Sequence, residues 1–211
     1  NIMIMLDNSG SMAWNLAGQQ LSTGGELNRP TEIKTDNAGN IYVLQTSNTY
    51  FQGKNYRMHV FNSDGTFKKR MNEYKYRYNP TCPNQSYTTP RFDIYDDKIY
   101  IMDNTYNDAT IKVISTTTGQ CLQHKRNVGK QRYGSYATEY SSIAVSENYI
   151  FIGTGNCSFY CNVSYDAAGS ITVYRRSNLS YVNTINTAGL NLKDITSLTV
   201  NSNGTKLLAV S

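Results

Sequence analysis

From Leu27 onward, apolar and polar residues alternate in short runs punctuated by Asp, Asn and Gly. Pro30-Thr31-Glu32-Ile33-Lys34-Thr35 and Ile41-Tyr42-Val43-Leu44 flank the turn Asp36-Asn37-Ala38-Gly39-Asn40. Period-two alternation on both sides of such a turn predicts a hairpin. Met58-His59-Val60-Phe61-Asn62-Ser63-Asp64-Gly65-Thr66-Phe67 repeats the pattern, so this stretch predicts four antiparallel strands. Asp36, Asp64, Asp96 and Asp97 are read as turn formers, because Asp bonds its own backbone in tight turns and no D-x-D-x-D-G calcium spacing is present.

The pattern recurs. Phe92-Asp93-Ile94-Tyr95 and Lys98-Ile99-Tyr100-Ile101 flank Asp96-Asp97 and precede Ile111-Lys112-Val113-Ile114 with the turn Thr117-Thr118-Gly119. Ser142 to Val145 and Tyr149 to Ile152 precede Ser170 to Tyr174, and Leu198 to Val210 opens a fourth copy. Tyr42, Tyr100, Ile150 and Leu208 align as equivalent second-strand positions. A four-stranded unit repeating every roughly 50 to 60 residues predicts β-propeller blades, slightly longer than common ones. The blades are placed at residues 27–75, 88–128, 138–187 and, incomplete, 193–211, in a propeller over 22–211. Three and a half blades fall short of an ordinary ring, so the 211 residues are expected to be a piece of a longer protein. The alternative is a four-bladed ring in which Ile2 to Leu6 or a partner chain supplies the missing strands.

Before the repeats stands a different pattern. The unbroken apolar run Ile2-Met3-Ile4-Met5-Leu6 suits a parallel strand covered on both faces. It ends in Asp7-Asn8-Ser9-Gly10-Ser11, and Met12 to Ala17 is compatible with a following helix. A carboxylate and two hydroxyls on one short loop offer hard oxygen ligands for a divalent cation; the plainer alternative is a turn or helix N-cap.

Asp7, Ser9 and Ser11 fit the D-x-S-x-S signature of the metal-ion-dependent adhesion site of von Willebrand factor A (VWA) domains, and Asn1 to Trp14 resembles the entry to the VWA domain of PilY/PilC-type type IV pilus tip adhesins. That resemblance implies that residues 1–21 begin a VWA α/β domain, its first strand, metal loop and the start of a helix, into which the propeller is inserted. It also implies that Mg²⁺, Mn²⁺ or Ca²⁺ is held through Asp7, Ser9 and Ser11, with further ligands from later loops. The turns around Asp36 to Val43 and Val60 to Gly65 resemble NHL-type propeller repeats.

Composition narrows the reading. Charged residues make up 17% of the chain and tyrosine occurs 18 times, which suits strands with one solvated face. The net charge of +5 is scattered, as in Lys68-Lys69-Arg70, so no specific nucleic-acid binding is expected. No apolar run approaches the roughly 18 to 20 residues of a membrane span. The four cysteines admit three pairings; Cys157 with Cys161 and Cys82 with Cys121 are favoured over a reduced set, since one pair is close and the other is left over. Their spacing does not fit a zinc site. Five N-x-S/T sequons, starting at Asn84, Asn156, Asn162, Asn178 and Asn203, are compatible with an exported protein.

Two segments are candidate recognition elements. Ser158, Phe159 and Tyr160 lie inside the small ring that a Cys157–Cys161 disulfide would close, on an insertion into a rigid scaffold. Met71 to Pro80 interleaves Tyr with Lys and Arg; it reads first as a half-buried strand with Tyr74, Tyr76 and Tyr78 on one face, and otherwise as a stacking surface. No G-x-S-x-G, phosphate loop or H-E-x-x-H motif occurs. Together with the resemblance to PilY/PilC-type adhesins, the expectation is a non-enzymatic adhesion protein, extracellular at the cell surface or pilus tip. By resemblance its partners are minor pilins and a host or surface ligand that bears a carboxylate. A filament or scaffold component, or a propeller enzyme, is the alternative.

Overall fold

The computed structural model describes residues 30–47, 55–71, 90–104, 109–126, 140–154, 169–190 and 195–210, with residues 27, 128 and 192. The chain divides into two compact units, Asn1–Tyr78 and Asn79–Ser211. The predicted VWA strand, metal loop and helix, and the strand carrying Tyr74, Tyr76 and Tyr78, lie outside the described residues.

In the first unit, β1 (Pro30–Thr35), β2 (Ile41–Ser47), β3 (Asn55–Phe61) and β4 (Phe67–Met71) form one antiparallel meander in sequence order. Its turns follow from the sequence. Asp36 Oδ1 accepts from the backbone N–H groups of Ala38 and Asn40, at 3.0 and 2.8 Å, and Gly39 takes a φ of +80° that most residues resist. Asp64 serves the next turn, accepting from Thr66 N at 2.9 Å. Tyr42, Leu44, Met58, Val60 and Met71 are buried on one face of the sheet and Val43, Gln45, His59 and Phe61 on the other.

The second unit holds two more four-stranded meanders and a hairpin. The first comprises β5 (Arg91–Tyr95), β6 (Lys98–Asn104), β7 (Ala109–Ser115) and β8 (Cys121–Lys125). The second comprises β9 (Tyr140–Val145), β10 (Tyr149–Thr154), β11 (Ser170–Arg175) and β12 (Tyr181–Asn186), and the hairpin β13 (Ser197–Val200) and β14 (Leu207–Val210). A short 3-10 turn, Ala188–Leu190, precedes the hairpin.

These sheets stack face to face. Tyr100, Met102, Ile111 and Val113 of one meander interlock with Ile143, Val145, Ile150, Ile152 and Tyr174 of the next. The opposite face of that second meander, through Ala144, Phe151, Ile171 and Val173, meets Ile195 and Leu198. Each such aliphatic side chain contributes on the order of 1.5–3 kcal/mol when withdrawn from water. The first strands β5, β9 and β13 lie side by side, whereas every residue of the fourth strand β12 is exposed. First strands inside and fourth strands outside is the layering of propeller blades.

Register shows the repeat in detail. In all three meanders the third and fourth strands carry a bulge at the same place, between Val60 and Phe61, Val113 and Ile114, and Val173 and Tyr174. The turns that follow hold a left-handed residue at Gly65 (φ +84°), Gly119 (φ +71°) and Leu179 (φ +56°). One correction follows. Ile41 pairs with Phe61, Ile99 with Ile114 and Ile150 with Tyr174, so Ile150 matches Ile41 and Ile99, and Phe151 is the counterpart of Tyr42 and Tyr100. The alignment on Ile150 was displaced by one residue, a slip that exchanges the two faces of a strand.

An antiparallel meander sends alternate connections to opposite ends. In each sheet one end carries the short turns, 36–40 and 62–66 in the first unit and 96–97, 116–120, 146–148 and 176–180 in the second. The opposite ends are joined by the segments 48–54 in the first unit and 105–108, 126–139 and 155–169 in the second. All but one of these exceed every short turn.

Candidate functional site

The short-turn end of the second unit is organised by Arg176, which the bulged hairpin between β11 and β12 pushes toward the preceding sheet. Its backbone N–H bonds Asn148 O at 2.9 Å, as Thr116 N bonds Asp97 O at 2.8 Å one blade earlier, so the two hairpins are built alike. The side chain then does what Thr116 is too short to do. Nε donates to Glu147 O at 2.6 Å, one terminal nitrogen reaches Asp96 Oδ2 at 3.2 Å and the Tyr100 hydroxyl at 3.4 Å, and the guanidinium covers the Tyr95 ring at 4.4 Å. A flat delocalised cation can satisfy an aromatic face and several acceptors together.

Electrostatics agree with that geometry. Burial opposes the charge on Arg176, but the Tyr100 hydroxyl and Asp96 outweigh it and raise its pKa. Burial pushes the Tyr100 hydroxyl up as well, against the neighbouring cation. Nearby, Asp97 is held below the usual carboxylate range by its bond to Lys98. A second link between the same sheets runs from Asp93 Oδ2 to Val145 N at 2.7 Å. Together these contacts lock adjacent blades at the end with short turns and leave the other end to be elaborated.

At that other end the strands carry buried polar residues. Asp103 near the end of β6 forms an ion pair with Lys112 of β7, both almost wholly buried. The equivalent residues in the first unit are Gln45 and His59. Burial, with Arg70 and Arg57 adding to it, lowers the His59 pKa from 6.5 to about 4, so the ring is neutral at physiological pH.

Asp7, Ser9, Ser11, Cys82, Cys157, Ser158, Phe159, Tyr160 and Cys161 lie outside the described residues. Cys121, at the start of β8, is disulfide-bonded to a partner outside them. Among the described residues no group of three or more His, Cys, Asp and Glu side chains is placed to hold a metal, and no helix is long and apolar enough to cross a membrane. Sequence reasoning passed over Arg176, Tyr95 and Tyr100. The available signal was the match of Val173-Tyr174-Arg175-Arg176-Ser177-Asn178-Leu179 to Val113-Ile114-Ser115-Thr116-Thr117-Thr118-Gly119, which singles out Arg176 as the residue that differs in reach.

The stacked four-stranded sheets define a propeller-like fold, and a solved propeller structure agrees. The chain is similar to the Dos1 propeller, with a TM-score of 0.53 and 11% identity over 93% of this chain. It spans 46% of that structure's length. Weaker likenesses are to the Neurospora crassa Pan2 WD40 domain (TM-score 0.36, 8% identity, 87% of this chain and 73% of that one) and to a DUF4623 family protein from Bacteroides eggerthii (TM-score 0.37, 10% identity, 82% and 53%). No protein-family model and no curated protein matches the chain.

Proposed function

We propose that the chain is part of a secreted adhesion protein of the cell surface or pilus tip, in which the propeller-like sheets present a recognition face at their long-connection end. The observation that carries this reading is the asymmetry of the connections: the short-turn end is closed by Arg176 and Asp93, while the segment 155–169, with Cys157-Ser-Phe-Tyr-Cys161, belongs to the other end. Rigid scaffolds with loops gathered at one end are a common basis for binding.

Asp7, Ser9 and Ser11 would hold the divalent cation. One carboxylate and two hydroxyls suit Mg²⁺, Mn²⁺ or Ca²⁺, and such a donor set leaves the ion electrophilic toward a carboxylate on a partner. Minor pilins and a host or surface ligand are the partners this reading implies. Pairing of Cys121 with Cys82, and of Cys157 with Cys161, would brace the loops. Calorimetry with Mg²⁺, Mn²⁺ and Ca²⁺ on the full-length protein tests it, beside an Asp7→Ala variant. Binding that the variant loses, with adhesion abolished by EDTA, is the expected result; no binding by either protein refutes the metal site.

A filament or scaffold role is the second reading, favoured by β12. Its sequence Tyr-Val-Asn-Thr-Ile-Asn is uncharged, contains no proline and is exposed throughout, unlike the basic fourth strand Phe67–Met71. An exposed, uncharged strand of this kind favours strand pairing between chains. Polymers that form unchanged in EDTA and are lost on Thr184→Lys substitution would decide for it.

A further inference from the structure

Gln45 and His59 occupy one face of the first sheet, His59 opposite Val43 and Gln45 opposite Arg57, so they are diagonal neighbours. Both are buried, at 5% and 1% exposure, and among the described residues no atom bonds Gln45 Oε1 or His59 Nδ1. The protonation of the ring is set from the other side. Arg70 Nε donates to His59 Nε2 at 3.0 Å, so Nε2 is the acceptor nitrogen and the single proton of the neutral ring resides on Nδ1. A buried donor and a buried acceptor thus share a face, each without its complement.

We propose that one internal water molecule is bound between them, accepting from His59 Nδ1–H and donating to Gln45 Oε1. Buried polar groups left unbonded are costly, and a water that satisfies two of them loses less in immobilisation than it recovers. The repeat supports the assignment. In the next sheet the same two positions hold Asp103 and Lys112, whose longer combined reach closes the gap directly as an ion pair. In the sheet after that they hold Thr154 and Thr172, and Thr154 is bonded to Ser170 instead. All three sheets keep a polar position here, and in the first it is a neutral pair that does not meet directly.

The test is made on the whole chain. Oxygen-17 relaxation dispersion counts long-lived waters, and the Gln45→Leu/His59→Phe variant should hold one fewer than the parent protein. In the parent, the His59 Nδ1 proton should show a rotating-frame cross-peak at the water frequency. Gln45→Leu alone should raise the unfolding equilibrium constant by roughly fivefold or more, since it orphans the water and the imidazole donor. If the double variant does not fold, Gln45→Asp/His59→Lys, which transplants the pair from the next sheet, serves in its place and should also lose one water. An unchanged count of long-lived waters, or a slowly exchanging Nδ1 proton with no water cross-peak, overturns the proposal.

Discussion

The guanidinium of Arg176 covers the ring of Tyr95, 4.4 Å from its centroid, and so ties the last hairpin of one sheet to the first hairpin of the sheet before it. The arrangement uses the planarity of arginine as well as its charge, because the same group bonds Glu147 O, Asp96 and Tyr100. Arg176→Ala should destabilise the second unit by about 1–3 kcal/mol. Arg176→Lys should recover less than half of that loss, since an ammonium cannot stack and bond in the same plane. Denaturant unfolding monitored by hydrogen exchange in β9 to β11 reads both; a lysine variant as stable as the parent would remove the stacking argument.

Leu179 combines two opposed features. Its φ of +56° is a conformation that favours glycine, yet its side chain is 3% exposed within the core between the sheets. Leu179→Ala should cost about 2–4 kcal/mol, losing the packing and keeping the backbone strain. Leu179→Gly loses the same packing but relieves the strain, so it should be about 1 kcal/mol less harmful than alanine. That order inverts the usual rule inside a sheet-rich core, and thermal unfolding of the two variants decides it.

Most of the sheet architecture was legible in the chain because it rests on local chemistry. Asp36 with Gly39 and Asp64 with Gly65 fix their turns through bonds within a few residues, and the strands on either side alternate with period two. The slip at Ile150 had a local cause too. The run Tyr149-Ile150-Phe151-Ile152 is apolar without alternation, since both faces of β10 are buried, so no periodic signal distinguished one register from the next. Arg176 was illegible for a different reason: its partners Asp96, Tyr95 and Tyr100 are about 80 positions away in the chain and meet it only when the sheets stack. The Asp103–Lys112 pair was equally hidden, because a lysine within an otherwise apolar strand reads as its exposed side. The metal motif around Asp7 belongs to residues outside the described ones, so its legibility rests on the motif alone.

His59 predicts a pH dependence with a definite sign. Its pKa falls from 6.5 in the unfolded chain to about 4 in the fold, chiefly through burial. Between these values the unfolded state binds a proton that the native state does not, so stability rises with pH there and is lost on acidification. Above 6.5 the contribution is complete and flat. Across the window it amounts to about 3 kcal/mol. Unfolding free energies of the parent and a His59→Gln variant, measured from pH 7.5 to pH 4, should diverge in slope, the variant showing the shallower fall. Equal slopes would mean that His59 titrates normally.

Gly153 gives the sharpest steric prediction. It lies in β10 where the strand passes under the segment leading to β13, and a Cβ built there would meet Ile195 Cγ2 at 2.7 Å and also the Ser142 hydroxyl. Ile195 is wholly buried, its backbone N–H bonds Thr154 O at 3.3 Å, and its carbonyl accepts from the Ser142 hydroxyl at 3.1 Å. None of these groups is the free end of a flexible side chain, so the strand and the segment must separate to admit a methyl. Gly153→Ala should therefore cost about 1–3 kcal/mol, although alanine is otherwise better suited than glycine to a strand interior. The effect should be local, with faster amide exchange at Ile195 and in β13 while β5 to β8 keep their protection. A variant that leaves the exchange of Ile195 unchanged would show that β10 and the β13 hairpin are not packed at this spacing.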